Sequence, residues 1–125
     1  MNADIFVLHE NPEWLPPFAN AFNRRGMAFE DWNLVERSVD LSAPPPEGIF
    51  YNRMSASSHT RGHRFSPELT SVVLAWLEGH GRRVVNSSRA LQLEVNKSAQ
   101  VTRLQACGVP VPRTIAVVGV EQALD

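Results

Sequence analysis

The sequence predicts an α/β fold with three layers, in which a mostly parallel sheet of about four to five strands lies between helices. The first observation is a set of short apolar runs, at residues 5–8, 49–51 and 84–85, that match buried strands. The second is a clearly amphipathic helical pattern that begins at Ser66. The third is the alternation of strands with helices, because this order favours a parallel sheet with right-handed crossovers.

The N-terminal third reads as a strand, a helix and a second strand. Residues 5–8 are continuously apolar, as in a strand buried on both faces, and 9–14 form a loop after it. A proline pair then opens a helix over 16–26, which ends in two arginines and a glycine. Residues 27–32 predict the second strand, whereas 33–40 fit either a helical turn or a loop.

The middle of the chain contains the clearest helix. A proline-rich connector precedes the third strand at residues 49–51, and a polar loop occupies 52–64. The helix from Ser66 ends at Gly79. Its predicted apolar face consists of Leu69, Val72, Val73, Trp76 and Leu77.

The last elements are a short strand at 84–85, two helices and a final β-branched run. Asn86 and the two serines after it can cap a brief helix over 89–95. Asn96 can cap a helix from Lys97 to about Cys107, with Gly108 as a left-handed terminator. Residues 114–118 predict a fifth strand.

Composition narrows the class of protein. With 125 residues, 43% hydrophobic and 20% charged, the chain has the length and balance of one soluble domain. A formal net charge of −1 gives no general attraction to nucleic acid or to anionic membranes. The single cysteine, Cys107, excludes an internal disulfide and fits a cytoplasmic protein, and we expect it in the core because a helix C-terminus disfavours a thiolate.

The polar loop over residues 52–64 is the main candidate site. In open parallel sheets ligands bind at the carboxyl ends of strands, where this loop begins. Arginine forks can hold a carboxylate or phosphate, and hydroxyl groups can add hydrogen bonds. The candidate substrate-binding residues are Asn52, Arg53, Ser55, Ser58, His59, Arg61, His63 and Arg64. Trp14, beside the end of the first strand, can border the ligand, and the alternative is a solvated polar loop.

The sequence was also searched for metal-binding, phosphate-binding and catalytic motifs. His59 and His63 have helical metal-ligand spacing, but Gly62 lies between them and no third ligand is near, so no metal site is predicted. There is no glycine-rich phosphate loop and no nucleophile elbow, so no catalytic residue is assigned. Lys97 in the first turn of a helix is a candidate for binding phosphate, against the alternative of an ordinary exposed lysine.

Short segments between residues 96 and 114 resemble a known enzyme family. The sequences Asn96-Lys97 and Gly108-Val109-Pro110-Val111-Pro112-Arg113-Thr114, with Leu104 between them, are similar to the junction before the nucleotide-binding part of ATP-grasp ligases. The nearest branch contains the ribosomal-protein glutamate ligase, the lysine-biosynthesis ligase and bacterial glutathione synthetase. Asn96 stands where that family usually has an acid.

The resemblance implies a Rossmann-like pre-ATP-grasp domain over residues 1–112 and the start of the nucleotide-binding region over 113–125. It implies that Lys97 contacts ATP phosphates and that the 52–64 loop faces the substrate. It also implies ATP and Mg²⁺ as cofactors of a longer enzyme, with small-molecule or peptide carboxylates and amines as substrates.

Three functions remain open at this stage. The first is the substrate-side domain of such a ligase, in which case the isolated 125 residues are expected to be inactive. The second is a free-standing α/β module that binds an anionic ligand. The third is an assembly or dimerisation domain without a ligand, and a homo-oligomer fits any of the three.

Overall fold

The computed structural model of the chain describes residues 3–119 and 121 and confirms the predicted α/β class. Within these residues the strands are β1 (Ile5–His9), β2 (Phe29–Asn33), β3 (Ile49–Asn52) and β4 (Arg83–Val85). The helices are α1 (Leu15–Arg24), α2 (Ser66–Gly79), α3 (Ser88–Val95) and α4 (Lys97–Ala106). Single 3₁₀ turns lie at Pro12–Trp14 and Ser58–Arg61. The chain divides into two compact units, Met1–Val95 and Asn96–Asp125.

The first unit contains a sheet in which every strand pairing is parallel, in the order β2-β1-β3-β4. Ile5 lies opposite both Phe29 and Ile49, so β1 is central. Residues 5–8 of β1 are buried, as their continuous apolar sequence predicts, and the strand extends to His9, which is also buried.

Helices cover both faces of this sheet. On one face α1 packs through Phe18 against Tyr51, with ring centroids 5.7 Å apart, and through Phe22 against Phe29 at 5.4 Å. The neighbouring residue Phe50 points to the opposite face, because side chains alternate along a strand. There it belongs to the core that includes the inward side of α2.

That core is built on an aromatic cluster. Phe6 stacks on Phe50 with centroids 4.7 Å apart, and Trp32 meets both rings edge to face at 5.4 and 5.5 Å. The buried cluster as a whole comprises Phe6, Leu8, Trp32, Leu34, Phe50, Met54, Val73, Leu74, Leu77 and Leu91. Full burial of one such side chain contributes roughly 1.5–3 kcal/mol.

The buried face of α2 differs from the predicted one. Val73 and Leu77 are buried as expected, but Val72 is 47% exposed and Leu74 is fully buried. The buried row also contains hydroxyl residues: Thr70 donates to the Ser66 carbonyl at 2.7 Å, and Ser66 donates to the Leu34 carbonyl at 3.0 Å. Because their hydroxyls are hydrogen-bonded, these polar residues occupy the core, and a search for apolar periodicity alone misplaces the stripe.

Two other expectations require correction. In the stretch 33–40, Asn33 is the last residue of β2 and residues 34–40 form an irregular loop, so the helical alternative is wrong there. Residues 114–118 form no strand, because a β-branched run becomes one only when a neighbouring strand accepts its hydrogen bonds, and none does within the described part of the chain. Residues 120 and 122–125, which the family resemblance assigned to the start of the nucleotide-binding region, lie outside the described residues.

The second unit contains α4. Its first turn is capped as predicted, since the Asn96 side chain accepts a hydrogen bond from the Ala99 amide at 3.0 Å. Gly108 has a φ of +75°, which confirms the left-handed terminator. Cys107 is exposed, so its expected place in the core is wrong: it caps the end of a helix that buries none of its residues.

Among the described residues no helix is long and apolar enough to cross a membrane.

Gly48 provides a test of the packing between the β2–β3 connector and the core. It has a φ of +145°, and an added Cβ would lie 2.8 Å from Phe6 Cε2 and 3.2 Å from the Asp4 carbonyl oxygen. We expect Gly48→Ala to lower the free energy of unfolding by about 2–4 kcal/mol, from backbone strain and from displacement of a core ring.

The matched control is Gly26→Ala, where φ is +66° but no atom lies within 4 Å of the added Cβ. It should cost only the left-handed backbone penalty, about 1–2 kcal/mol. Urea unfolding of the two variants measures the difference, and equal losses would contradict the proposed clash.

Candidate functional site

A cavity of about 410 Å³ lies at the carboxyl ends of β3 and β4, entirely within the first unit. It is the place at which open parallel sheets bind ligands. Its lining residues are Trp14, Asn52, Arg53, Met54, Ser55, Asn86, Ala90, Leu91 and Glu94. They come from the strand ends, from the loop after β3, from the turn after β1 and from α3.

Two asparagines join the strand ends that form the floor of this cavity. The side-chain Nδ2 of Asn52 donates to the backbone carbonyl of Asn86 at 3.0 Å, and the side-chain Nδ2 of Asn86 donates to the backbone carbonyl of Asn52, also at 3.0 Å. The Asn52 side-chain oxygen accepts from the Met54 amide at 2.9 Å. Asn86 has a φ of +60°, which asparagine tolerates better than most residues. The pair therefore continues the sheet beyond β4 through side chains.

Arg53 is the cation of the cavity. Its backbone amide donates to the Leu8 carbonyl at 2.7 Å, which fixes the start of the loop against β1. Its guanidinium lies over the Phe18 ring at 4.8 Å and is 5.9 Å from the Tyr51 ring centroid. Within the described residues it makes no ion pair and no side-chain hydrogen bond. The Arg53 donors are therefore available to a ligand.

Arg61 and His63 instead converge on a buried acid, Glu10. The Glu10 side chain is fully buried, and Arg61 Nε lies 3.0 and 3.2 Å from its two oxygens. Arg61 Nη2 makes a further short contact with the same carboxylate, and His63 Nδ1 lies 2.6 Å from Glu10 Oε2. The Arg61 guanidinium also stacks on Trp14 at 5.0 Å. We call these four residues the Glu10 cluster.

The Glu10 carboxylate is kept charged by this arrangement. Burial alone raises the pKa of Glu10, but hydrogen bonds from Arg61 and His63 and their charges outweigh burial and lower the pKa below its ordinary value of 4.5. The same contact raises the pKa of Arg61. The charges of Arg61 and Glu10 therefore compensate one another inside the protein.

The remaining predicted substrate residues occupy different environments. Ser55 lines the cavity, and its hydroxyl is 2.8 Å from that of Ser57. Ser58 is fully buried, and its hydroxyl has no partner among the described residues. His59 is exposed, with Nδ1 3.0 Å from the Ala56 carbonyl, and Arg64 is exposed with its guanidinium 5.4 Å from the Phe65 ring.

The candidate residues of the 52–64 loop thus fall in different places. Asn52, Arg53 and Ser55 line the cavity, whereas Arg61 and His63 belong to the Glu10 cluster. Sequence reasoning missed Glu10 and the contributions of α3. The position of Glu10 immediately after β1 is the signal that identifies it, because that position places the carboxylate at the same edge of the sheet.

Besides the Glu10 cluster, the first unit contains a second contact between a histidine and a carboxylate. His9 is buried, and its Nε2 contacts the carboxylate of Asp31, the middle residue of β2. In the described part of the chain no group of three or more metal-binding side chains occurs. Lys97 lies separately, as the exposed first residue of α4 in the second unit.

Comparison with known proteins identifies the fold. No protein-family model and no curated protein match the chain. Two solved structures match in fold. One is a RimK-domain ATP-grasp protein from Sphaerobacter thermophilus DSM 20745, with a TM-score of 0.63, 20% identity, and coverage of 89% of this chain and 39% of that one. The other is the ATP-grasp ligase PsnB complexed with minimal precursor, with a TM-score of 0.60, 24% identity, and coverage of 90% and 45%.

The chain therefore has the fold of part of an ATP-grasp ligase, and it spans less than half the length of the structures that it matches. The family resemblance read from the sequence is confirmed at the level of the fold. The roles of Lys97 and of the 52–64 loop stay predictions.

The Glu10 cluster yields a stability prediction. Glu10→Gln keeps the size of the side chain but removes the charge that Arg61 and His63 share. We expect a loss of about 1–3 kcal/mol in the free energy of unfolding at neutral pH, the usual magnitude for a hydrogen-bonded charged group. Glu13→Gln, an exposed acid three residues later, is the control and should change stability little.

The same variant has a predicted pH dependence. Because the folded-state pKa of Glu10 is lowered, its contribution is complete above the unfolded-state value of about 4.5. It is lost as pH falls through the lower, folded-state pKa. Urea unfolding of wild type and Glu10→Gln from pH 5 to pH 3 should show a difference in the free energy of unfolding that shrinks below about pH 4.5. A difference that grows below that pH would contradict this assignment.

Proposed function

We propose that the chain is the substrate-side domain of an ATP-dependent carboxylate-amine ligase. In the proposed full-length enzyme a substrate carboxylate takes the γ-phosphoryl group of ATP, which gives an acyl phosphate and ADP. An amine then attacks the acyl carbon, phosphate leaves and an amide forms. The observation that carries the proposal is a cavity at the carboxyl end of the sheet, lined by an arginine that has no ion pair among the described residues, in a fold shared with ATP-grasp proteins.

The proposed role of the cavity is to hold a small-molecule or peptide substrate by its carboxylate. A guanidinium matches the planar geometry of a carboxylate and donates two parallel hydrogen bonds to it. Arg53 supports this role because it is half-buried, stacked on aromatic rings and free of internal acids among the described residues. Arg61 does not support it, since Glu10 already occupies its donors.

Lys97 is proposed to contact an ATP phosphate. Lys97 is the first residue of α4, where the amides of the first turn also attract anions. The Asn96 side chain already accepts the Ala99 amide. Among the described residues the groups proposed for the phosphate are therefore the Lys97 ammonium and the amides of Lys97 and Ser98. When bound, ATP would supply the phosphoryl group and Mg²⁺ would neutralise its charge. We place the metal ligands outside the described residues and expect the isolated 125-residue chain not to catalyse ligation.

A second candidate function is a free-standing module that binds an anionic ligand without catalysis. The observation in its favour is that every residue lining the cavity lies within the Met1–Val95 unit. Binding at this cavity therefore needs no contribution from α4. The two candidates differ in whether the native protein consumes ATP.

The decisive experiment is an assay of the full-length native protein with ATP, Mg²⁺ and a panel of carboxylates in the presence of hydroxylamine. Hydroxylamine traps an acyl phosphate as a hydroxamate, which is measured together with ADP release. The ligase proposal predicts hydroxamate that depends on ATP. If the native protein releases ADP with none of the carboxylates and forms no hydroxamate, the non-catalytic module is the better description.

Lys97→Gln tests the phosphate contact in that assay. We expect the KM for ATP to rise about tenfold, the loss of one charge-assisted hydrogen bond of roughly 1.4 kcal/mol. Arg103→Gln, near the other end of α4, removes the same charge far from the first turn and should leave KM unchanged. Equal KM values for wild type and Lys97→Gln would remove Lys97 from the site.

A further inference from the structure

We infer that Arg61 is a positioning residue for the ligand of the cavity, because it fixes the Trp14 ring in the cavity wall without contacting the ligand itself. Trp14 is among the lining residues, whereas Arg61 is not. The inference rests on the proposed function, since it takes the cavity at the ends of β3 and β4 as the ligand site. It goes beyond that function by giving a role in binding to a side chain outside the lining.

Trp14 lies where the chain itself gives a side chain little support. It is the last residue of the 3₁₀ turn Pro12–Trp14, in which no residue is buried. Its ring packs on no other aromatic ring, and its indole nitrogen donates no hydrogen bond, within the described residues. The contact that restrains it is the Arg61 guanidinium, whose Cζ lies 5.0 Å from the ring centroid. Without this contact a ligand would bear the entropy cost of ordering the ring.

Arg61 can restrain the ring because its own guanidinium is fixed. Its Nε lies 3.0 and 3.2 Å from the two oxygens of the fully buried Glu10 carboxylate, and its Nη2 contacts the same group. Stacking uses the flat face of a guanidinium and leaves the N–H groups at its edge for a carboxylate, so one side chain makes both contacts. Glu10 directly follows β1, so the Trp14 ring is tied to the central strand of the sheet.

The same guanidinium also approaches a second segment of the lining. Its Nη1 and Nη2 each lie 3.4 Å from the Ser57 hydroxyl, which is 2.8 Å from the hydroxyl of Ser55 in the lining. These two contacts to Ser57 are long, so we expect them to contribute less than the stacking on Trp14. Arg61 thus reaches both the turn after β1 and the loop after β3.

His63 provides the comparison that separates positioning from stability. Its Nδ1 lies 2.6 Å from Glu10 Oε2, so it also supports the buried carboxylate. In the part of the chain that the structure describes, however, its side chain makes no hydrogen bond or ring contact with a residue of the cavity lining. Loss of either partner should destabilise the Glu10 cluster, but only loss of Arg61 should release Trp14.

The first measurement needs no ligand. Incorporation of fluorotryptophan into the 125-residue chain gives a fluorine NMR signal for each of the three tryptophans, and Trp14→Phe assigns the Trp14 signal. Arg61→Gln should increase the broadening of that signal by a neutral gadolinium chelate, because a released ring is more accessible to solvent. The broadening of the Trp32 and Trp76 signals should not change, and His63→Gln should leave all three signals as broad as in the wild type.

The second measurement uses the hydroxamate assay of the full-length native protein, with the carboxylate that reacts best with the wild type as the probe. Arg61→Gln should raise the KM for this carboxylate about two- to tenfold, the cost of ordering one side chain on binding, and leave the KM for ATP unchanged. Trp14→Ala should raise the first KM at least as much. The double variant should add little to Trp14→Ala, because Arg61 acts through Trp14. Arg24→Gln, an exposed arginine at the end of α1, is the control and should change neither KM.

Urea unfolding midpoints verify that each variant is folded. If Arg61→Gln is not, Arg61→Lys takes its place in both measurements. The lysine keeps a cation beside Glu10 but lacks the flat guanidinium that covers the Trp14 ring, so the same changes in broadening and in KM are expected.

The outcomes separate this inference from the proposed function. If Arg61→Gln and His63→Gln broaden the Trp14 signal equally, or if neither does, Arg61 acts only on stability and the inference is overturned. It is also overturned if Arg61→Gln leaves the KM for the carboxylate unchanged, although the ligase proposal then stands. If the wild-type native protein forms no hydroxamate, the ligase proposal fails and the inference that rests on it fails as well.

Discussion

The pairing of a fully buried carboxylate, Glu10, with Arg61 and His63 is the interaction on which the site depends. A carboxylate without partners in that position would be costly, since an unpaired buried charge is strongly disfavoured. Its partners lie 51 and 53 residues further along the chain, so the contact fixes the loop after β3 to the end of β1. Through Arg61 the same contact holds the Trp14 ring, which forms part of the cavity wall.

A consequence of this pairing is that the arginines near the cavity are not equivalent. Arg61 is neutralised by Glu10 and joins two loops, whereas Arg53 lies over aromatic rings and makes no side-chain hydrogen bond to any of the described residues. Aromatic stacking restrains a guanidinium without using its N–H groups. The loop therefore uses Arg61 to join two loops, and Arg53 is the arginine that we propose for ligand binding.

The element order was predictable because it depends on local patterns. The apolar run of β1, the caps around α4 and the glycine terminator each follow from a few neighbouring residues. The orientation of α2 was not predictable in the same way, because Thr70 is buried only when its hydroxyl is satisfied. The role of Glu10 was also hidden, since nothing beside it in the sequence indicates an arginine 51 residues away. Long-range pairings of this kind decide which member of a charged loop faces a ligand.

The short β4 strand explains why the cavity has two chemically different walls. β4 ends at Val85, and the left-handed Asn86 turns the chain so that α3 begins at Ser88. The side-chain amides of Asn52 and Asn86 replace the next ladder bonds, so the backbone carbonyls of both residues have hydrogen-bond donors where the sheet opens. The loop after β3 contributes Arg53 to the cavity lining, and α3 contributes Glu94. The two walls of the cavity therefore belong to segments that are far apart in the sequence and meet only where the sheet ends.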